Sequence, residues 1–312
     1  MTLPIRQTMS RPDWALLLIL STLWGGSFFF IAIAGRELPP LTIVALRVGI
    51  AALILLGLVA IGGKSLPKSW RVWRVLLGMG VINSVLPFSL IAWGQTQVPS
   101  GLAAVFNATT PFWTALAVQF LTADEKLSAG KIAGIVLGVA GVGVLIGPGA
   151  FLDFGAHGWG ALAILLGALS NGFAGALGRN IARLRVEPIV AATGQMVMAT
   201  ILMIPLALLV DQPWQLAMPG WQAWASILAI AALSTVLAFL IFYRLLARAG
   251  ATNTSLVTFL VPVSAILLGT LVLGERLELQ HIAGMALIAA GLVAIDGRAW
   301  RWVRARRAAE AG

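Results

Sequence analysis

The chain is a succession of long apolar runs separated by short polar stretches. Ten runs lie near residues 14–34, 41–62, 72–94, 100–121, 130–147, 159–181, 188–210, 221–243, 251–273 and 280–296. Each has about the length that crosses a bilayer as a helix, roughly 20 residues. The runs are continuous rather than alternating, which predicts helices and excludes a transmembrane β-barrel. The expected fold class is an all-α integral membrane protein of ten transmembrane helices.

Composition agrees with that pattern. Of 312 residues, 60% are apolar and only 10% are charged, against roughly a quarter charged in soluble domains. A soluble enzyme is excluded. There is no Cys, so thiolate chemistry, disulfides and Cys metal sites are excluded too. The two His, His157 and His281, fall in connections, so neither a metal centre nor a His-based triad is expected, and no cofactor is implied.

The net charge of +10 acquires its meaning from where the charges sit. Eighteen of the 21 Lys and Arg fall on one side of the ten spans, and two, Arg36 and Arg276, on the other; Arg47 lies inside the second span. Basic loops face the cytoplasm, so both termini are expected there, in a multi-pass protein of the plasma (inner) membrane. The charge then reports topology and a lipid bilayer rather than a nucleic-acid partner. Ten of the twelve Trp lie near span ends, as an aromatic belt does; Trp24 and Trp113 are interior. No cleavable leader is expected, because the run after Asp13 is too long and lacks a small-residue cleavage site.

The second part of the chain repeats the first. Glu125-Lys126-Leu127 matches Glu275-Arg276-Leu277, Ile132-Ala133-Gly134 matches Ile282-Ala283-Gly284, and Gly141 matches Gly291, all at an offset of 150. Val85-Leu86-x-Phe88 matches Val236-Leu237-x-Phe239, and Pro111 matches Pro262, at 151. This divides the chain into repeats at 1–147 and 148–312, each with five spans. An odd number of spans makes the second repeat inverted. Inverted repeats mark secondary transporters, with the site at the midplane between the halves.

Polar groups at membrane depth are costly and face the protein interior. They concentrate at mid-depth in spans 1, 3, 4, 6, 8 and 9, which are expected to line a central cavity. The candidate substrate-binding residues are Trp24, Asn83, Pro87, Phe88, Phe106, Asn107, Thr110, Ser170, Asn171, Thr235, Phe239 and Thr258. A Ser or Thr often bonds back to its own helix. Asn83, Asn107 and Asn171 are harder to satisfy locally. Aromatic walls with a few amides and hydroxyls suit a small amphipathic solute.

Pro111 and Pro262 interrupt spans 4 and 9. A proline frees the carbonyl four residues back, here Asn107 and Thr258, and the pair is expected to act as hinges. Gly130, Gly134 and Gly138 form a ridge on span 5; we read it as packing against span 10 (Gly284, Gly291) rather than a homodimer seam, and expect a monomer. Arg47 and Glu275 are expected to form a structural ion pair across the repeats. No acid sits at the midplane, so proton coupling through a buried carboxylate is not expected, and a facilitated carrier fits better.

Trp24-Gly25-Gly26-Ser27-Phe28 resembles the first-helix motif of the EamA domain. Arg47, Pro111, and Gly274-Glu275 with Pro262 upstream resemble its other landmarks, and Glu125 matches the acidic position of the first repeat. Gln195 stands where symmetry with Arg47 expects an arginine. With ten spans in two repeats, the chain resembles the drug/metabolite transporter superfamily. The resemblance implies export of small metabolites, often amino acids. Less closely, it is similar to the YddG-type exporters of aromatic amino acids. The alternative within the superfamily is export of cationic drugs or other small amphipathic solutes.

Overall fold

The computed structural model describes residues 10–121, 129–146, 156–182, 186–254 and 256–296. Among these the regular structure is helical. The helices are α1 (Arg11–Ala34), α2 (Pro40–Ile61), α3 (Trp70–Gly94), α4 (Ser100–Asn107), α5 (Thr110–Leu121), α6 (Ala129–Ile146), α7 (Ala156–Ala182) and α8 (Pro188–Asp211). They continue with α9 (residues 221–254), α10 (Val257–Val272) and α11 (Leu279–Asp296). Six helices are long and apolar enough to cross a membrane, and three shorter apolar ones accompany them. Leucines such as Leu53, Leu209 and Leu271 point outward, 70%, 76% and 79% exposed, as a lipid-facing surface requires.

Local sequence explains the starts and stops. Ser10 and Asp13 form a reciprocal capping box at the start of α1. Prolines sit in the first turn of α2 and α8, where the missing N–H costs nothing. Gln212, left-handed at φ 48°, ends α8.

Two runs behave differently from the hydropathy pattern. The fourth is broken: α4 ends at Asn107, Ala108 and Thr109 turn, and α5 starts at Thr110. Pro111 is therefore a first-turn residue of α5, not a mid-helix kink. The eighth run does not stop near 243 but continues to Thr254, so the ninth helix starts at Val257 rather than 251. The first half ends α3 before Pro99; its counterpart in the second half is Gly250, which carries no such break.

Helices α3 and α9 each carry a π-helical stretch, Val81–Val85 and Ile230–Leu237. These positions correspond at the 151-residue offset. Single π turns of this kind cluster at functional sites.

The helices from the two parts of the chain interleave. Helix α1 packs on α10, and α7 on α5; α2 packs on α8, and α6 on α11; α2 meets the π turn of α9, and α8 meets α3. Glycine permits the closest crossings. A Cβ on Gly25 would fall 2.8 Å from the Val261 carbonyl oxygen, and one on Gly172 would fall 2.8 Å from the Thr114 nitrogen. The α6–α11 seam is the glycine ridge: Gly141 abuts Gly284 and Ile288, and Gly291 abuts Gly134 and Gly138.

Beside a small cluster of Ala117 and Ala176, two large apolar clusters make up most of the described core. One gathers around Leu17, Phe28, Phe106, Ile164 and Val261, the other around Val44, Val48, Met196, Met203 and Ile230. The candidate site lies where they meet.

Candidate functional site

An aromatic row spans that meeting place. Trp24 on α1 faces Phe242 on α9 at 5.6 Å between ring centroids; Phe242 meets Tyr243 edge-on at 5.6 Å, and Tyr243 meets Phe239 at 6.4 Å. Trp24 and Phe242 pack on the first cluster, Phe239 and Tyr243 on the second. Phe242 and Tyr243 were not among the sequence candidates. Their signal was helical spacing from Phe239: one turn further along α9 the same face continues with Phe242 and Tyr243.

Beside this row the π turns are engaged from the other half. Gln195 on α8 donates from Nε2 to Ser84 Oγ at 2.9 Å, and Arg47 on α2 donates from Nε to Thr235 Oγ1 at 3.0 Å. Ser84 and Thr235 occupy corresponding places in the two π turns. The Arg47 guanidinium carbon lies 3.8 Å above the centre of the Phe88 ring, a cation–π contact that offsets part of the cost of a charge at this depth. The residue is 7% exposed.

This overturns the expected Arg47–Glu275 pair. Glu275 lies beyond α10 and gives its carboxylate to the backbone N–H groups of Ser100 and Gly101. Arg47 sits two helical turns into α2 and takes a neutral hydroxyl. Phe88 and Thr235, both expected to touch substrate, are the residues that hold Arg47. The corresponding Glu125 lies outside the described residues.

Ser170 donates from Oγ to the Ile82 carbonyl at 2.6 Å. In the π turn the Leu86 N–H reaches back five residues to Val81 O. The next N–H in that register would belong to Pro87, which has none. The carbonyl thus released is the one Ser170 takes.

The break between α4 and α5 presents a different chemistry. Thr110 Oγ1 donates to the Asn107 carbonyl at 2.7 Å, so the carbonyl released by Pro111 is already engaged. The Asn107 side-chain Oδ1 is buried and has no hydrogen-bond partner among the described residues; the same holds for Ser234 Oγ in the π turn of α9. Buried polar atoms in folded proteins are nearly always satisfied, and exceptions ask for a ligand or water. Asn83, Asn171 and Thr258 are half-buried, while Phe106 is 2% exposed and belongs to the core. Pro87 is buried against α7, where its Cα lies 3.5 Å from the Cβ position of Gly167. Pro262 lies inside α10, as the sequence predicts.

Among the described residues, no group of three or more His, Cys, Asp or Glu is placed to hold a metal ion. The arrangement is a set of helix-borne amides, hydroxyls and aromatic faces inside a membrane bundle. Such groups bind a small solute through hydrogen bonds and apolar contact.

The chain belongs to the EamA-like transporter family, which it matches over residues 13–147 and again over 158–295. It is a small-molecule transporter and not an enzyme. It is 27% identical over 286 residues to the "Uncharacterized inner membrane transporter YedA" of Escherichia coli (strain K12), covering 91% of this chain and 90% of that one. It is 30% identical over 295 residues to the "Probable amino-acid metabolite efflux pump" of Salmonella typhimurium, covering 91% of this chain and 94% of the relative. A solved crystal structure, 21% identical, shares the fold at a TM-score of 0.66, with 92% of this chain and 96% of that one covered.

Proposed function

We propose that the protein is a secondary exporter of small amino-acid metabolites, with aromatic and apolar amino acids as the favoured class. The observation that carries this reading is the buried, unpartnered Asn107 Oδ1 at the α4–α5 break. An unpartnered amide oxygen at membrane depth, in a bundle that also carries the half-buried amides Asn83 and Asn171 and an aromatic row, suits an ammonium group on an apolar body. The efflux pump of Salmonella typhimurium named above supports the solute class.

The architecture we propose is ten transmembrane helices in two inverted repeats, residues 1–147 and 148–312, working by alternating access as a monomer. Two matched family segments support it, as do the paired contacts of α1 with α10 and α7 with α5. The boundary at 147/148 lies outside the described residues. The basic side is the cytoplasmic one and carries both termini, in the inner membrane where the E. coli relative is named.

Counterflow in proteoliposomes loaded with Phe, Met or Thr, with a quaternary ammonium dye as competitor, tests the assignment. Exchange of labelled amino acid is expected. Dye exchange without amino-acid exchange would move the assignment to cationic drugs.

A further inference from the structure

Several of the described helices begin without a capping side chain, and three of them share a further feature. The residues ahead of α2, α4 and α9 are Pro39, Pro99 and Gly220, and none makes a side-chain cap. Yet the first N–H groups of a helix need acceptors. In each case a carboxylate from the other half of the chain supplies one. Asp211 Oδ2, at the end of α8, accepts from Thr42 N at 2.6 Å and from Thr42 Oγ1 at 2.8 Å. Glu275 Oε1, beyond α10, accepts from Ser100 N at 2.7 Å and Ser100 Oγ at 2.6 Å, and its Oε2 accepts from Gly101 N at 2.9 Å. Glu37, beyond α1, accepts from Gly220 N at 2.5 Å.

All three contacts lie at the same ends of the bundle, opposite the basic side. They differ from the ties on the basic side, where Lys64 pairs with Glu187 and Arg248 Nε meets Asp13 Oδ1 at 3.2 Å, side chain to side chain. Space has been left for the Glu275 carboxylate: a Cβ on Gly269 would fall 2.9 Å from its Cδ. Charge-assisted bonds to a helix N-terminus are strong while dry and weak once water can replace them. That makes them suited to closing a face reversibly.

We propose that Glu37, Asp211 and Glu275 are positioning residues for transport. They latch the two halves together on the face opposite the basic side and release as that face opens. The proposal rests on the alternating-access reading above. It explains why the helices are capped in trans: a helix with its own Ser or Asp cap would lose nothing when the halves part, so its N-terminus would not hold them together.

The chain has no Cys, so single cysteines report without background. Ala103→Cys sits on α4, one turn below the Glu275 contact, and is 0% exposed; Ala176→Cys sits on α7 nearer the basic side and is 5% exposed. Labelling by an impermeant maleimide is measured on right-side-out and inside-out vesicles. Glu275→Ala, and Gly269→Ala, which displaces the carboxylate without changing charge, are each expected to raise Ala103→Cys labelling at least threefold. That labelling comes from the latch face, while Ala176→Cys labelling from the opposite face falls. Glu275→Gln is expected to lie between. If both reporters rise together, or neither changes in variants that purify as monodisperse protein, the latch is refuted and the contacts are caps only. A sided response whose latch face proves cytoplasmic supports the latch and overturns the topology. A correct response without amino-acid exchange supports the latch and overturns the substrate class.

Discussion

Arg47 and Gln195 perform the same contact from corresponding helices: each reaches from its own half into the π turn of the other, to Thr235 and to Ser84. The arginine adds a second hold, its guanidinium stacked on Phe88. Because the partner is a hydroxyl and not a carboxylate, the pair contributes geometry more than charge neutralisation.

Removing either side of that contact is therefore expected to be costly and coupled. Arg47→Gln and Thr235→Val, measured singly and together by thermal unfolding in detergent, should show a coupling of about 1 kcal/mol, typical of interhelical bonds in membranes. Arg47→Lys keeps the charge but loses the Nε donor and the planar stack, and it should not restore stability. Full additivity would show that the contact is incidental.

Asn83 and Asn107 carry the binding claim. The double variant Asn83→Leu/Asn107→Leu should abolish counterflow while leaving the protein folded, because an orphan amide replaced by a hydrocarbon of similar size costs the fold little. The substrate site proposed here is falsified if that variant transports normally.

Ser170 has a structural job in the same region. Ser170→Ala leaves the Ile82 carbonyl without its donor and should lower stability by about 1–2 kcal/mol, and Ser170→Thr should recover most of it. A melting curve for each variant decides this.

The crossing glycines are expected to be intolerant. Gly25→Ala and Gly172→Ala each drive a methyl into a neighbouring backbone, at about 1–3 kcal/mol. Gly143→Ala is the control, since nothing lies within 4 Å of its Cβ position. A glycine-to-alanine series that shows no difference between these positions would mean the crossings are looser than described.

The two prolines should now part company. Pro262 is internal to α10, whereas Pro111 opens α5 after a break that already exists. Pro262→Ala is expected to slow exchange at least threefold at unchanged protein level, and Pro111→Ala to change it less than twofold. Equal effects in initial-rate measurements would restore the paired-hinge view.

Much of this molecule can be read without coordinates. Continuous apolar runs announce helices because lipid leaves the backbone no other option, and observed ends fall within a few residues of the expected ones over most of the chain. The break at Ala108-Thr109 escapes because neither residue is a helix terminator. The π turns escape because one inserted residue hardly alters hydropathy. The sequence pairs Arg47 with Glu275 because both are scarce charges toward one face. Their actual partners are a hydroxyl and a run of backbone N–H groups, and no side-chain pattern displays a backbone donor. The same limit hid the trans-capping carboxylates. The aromatic extension to Phe242 and Tyr243, by contrast, was visible as helical spacing and needed only to be followed.

The interleaving of the halves has a consequence for how the protein is made. Arg47 leaves the ribosome 188 residues before Thr235, the hydroxyl it will eventually hold. During that interval α2 resides in the membrane without that hydroxyl, its cation stacked on Phe88 of a helix not far behind it. Likewise α4 enters with its first N–H groups bare until Glu275 arrives. The nascent first half is thus an unfinished object, polar where the completed protein is satisfied. These contacts can close only after the second half has been made.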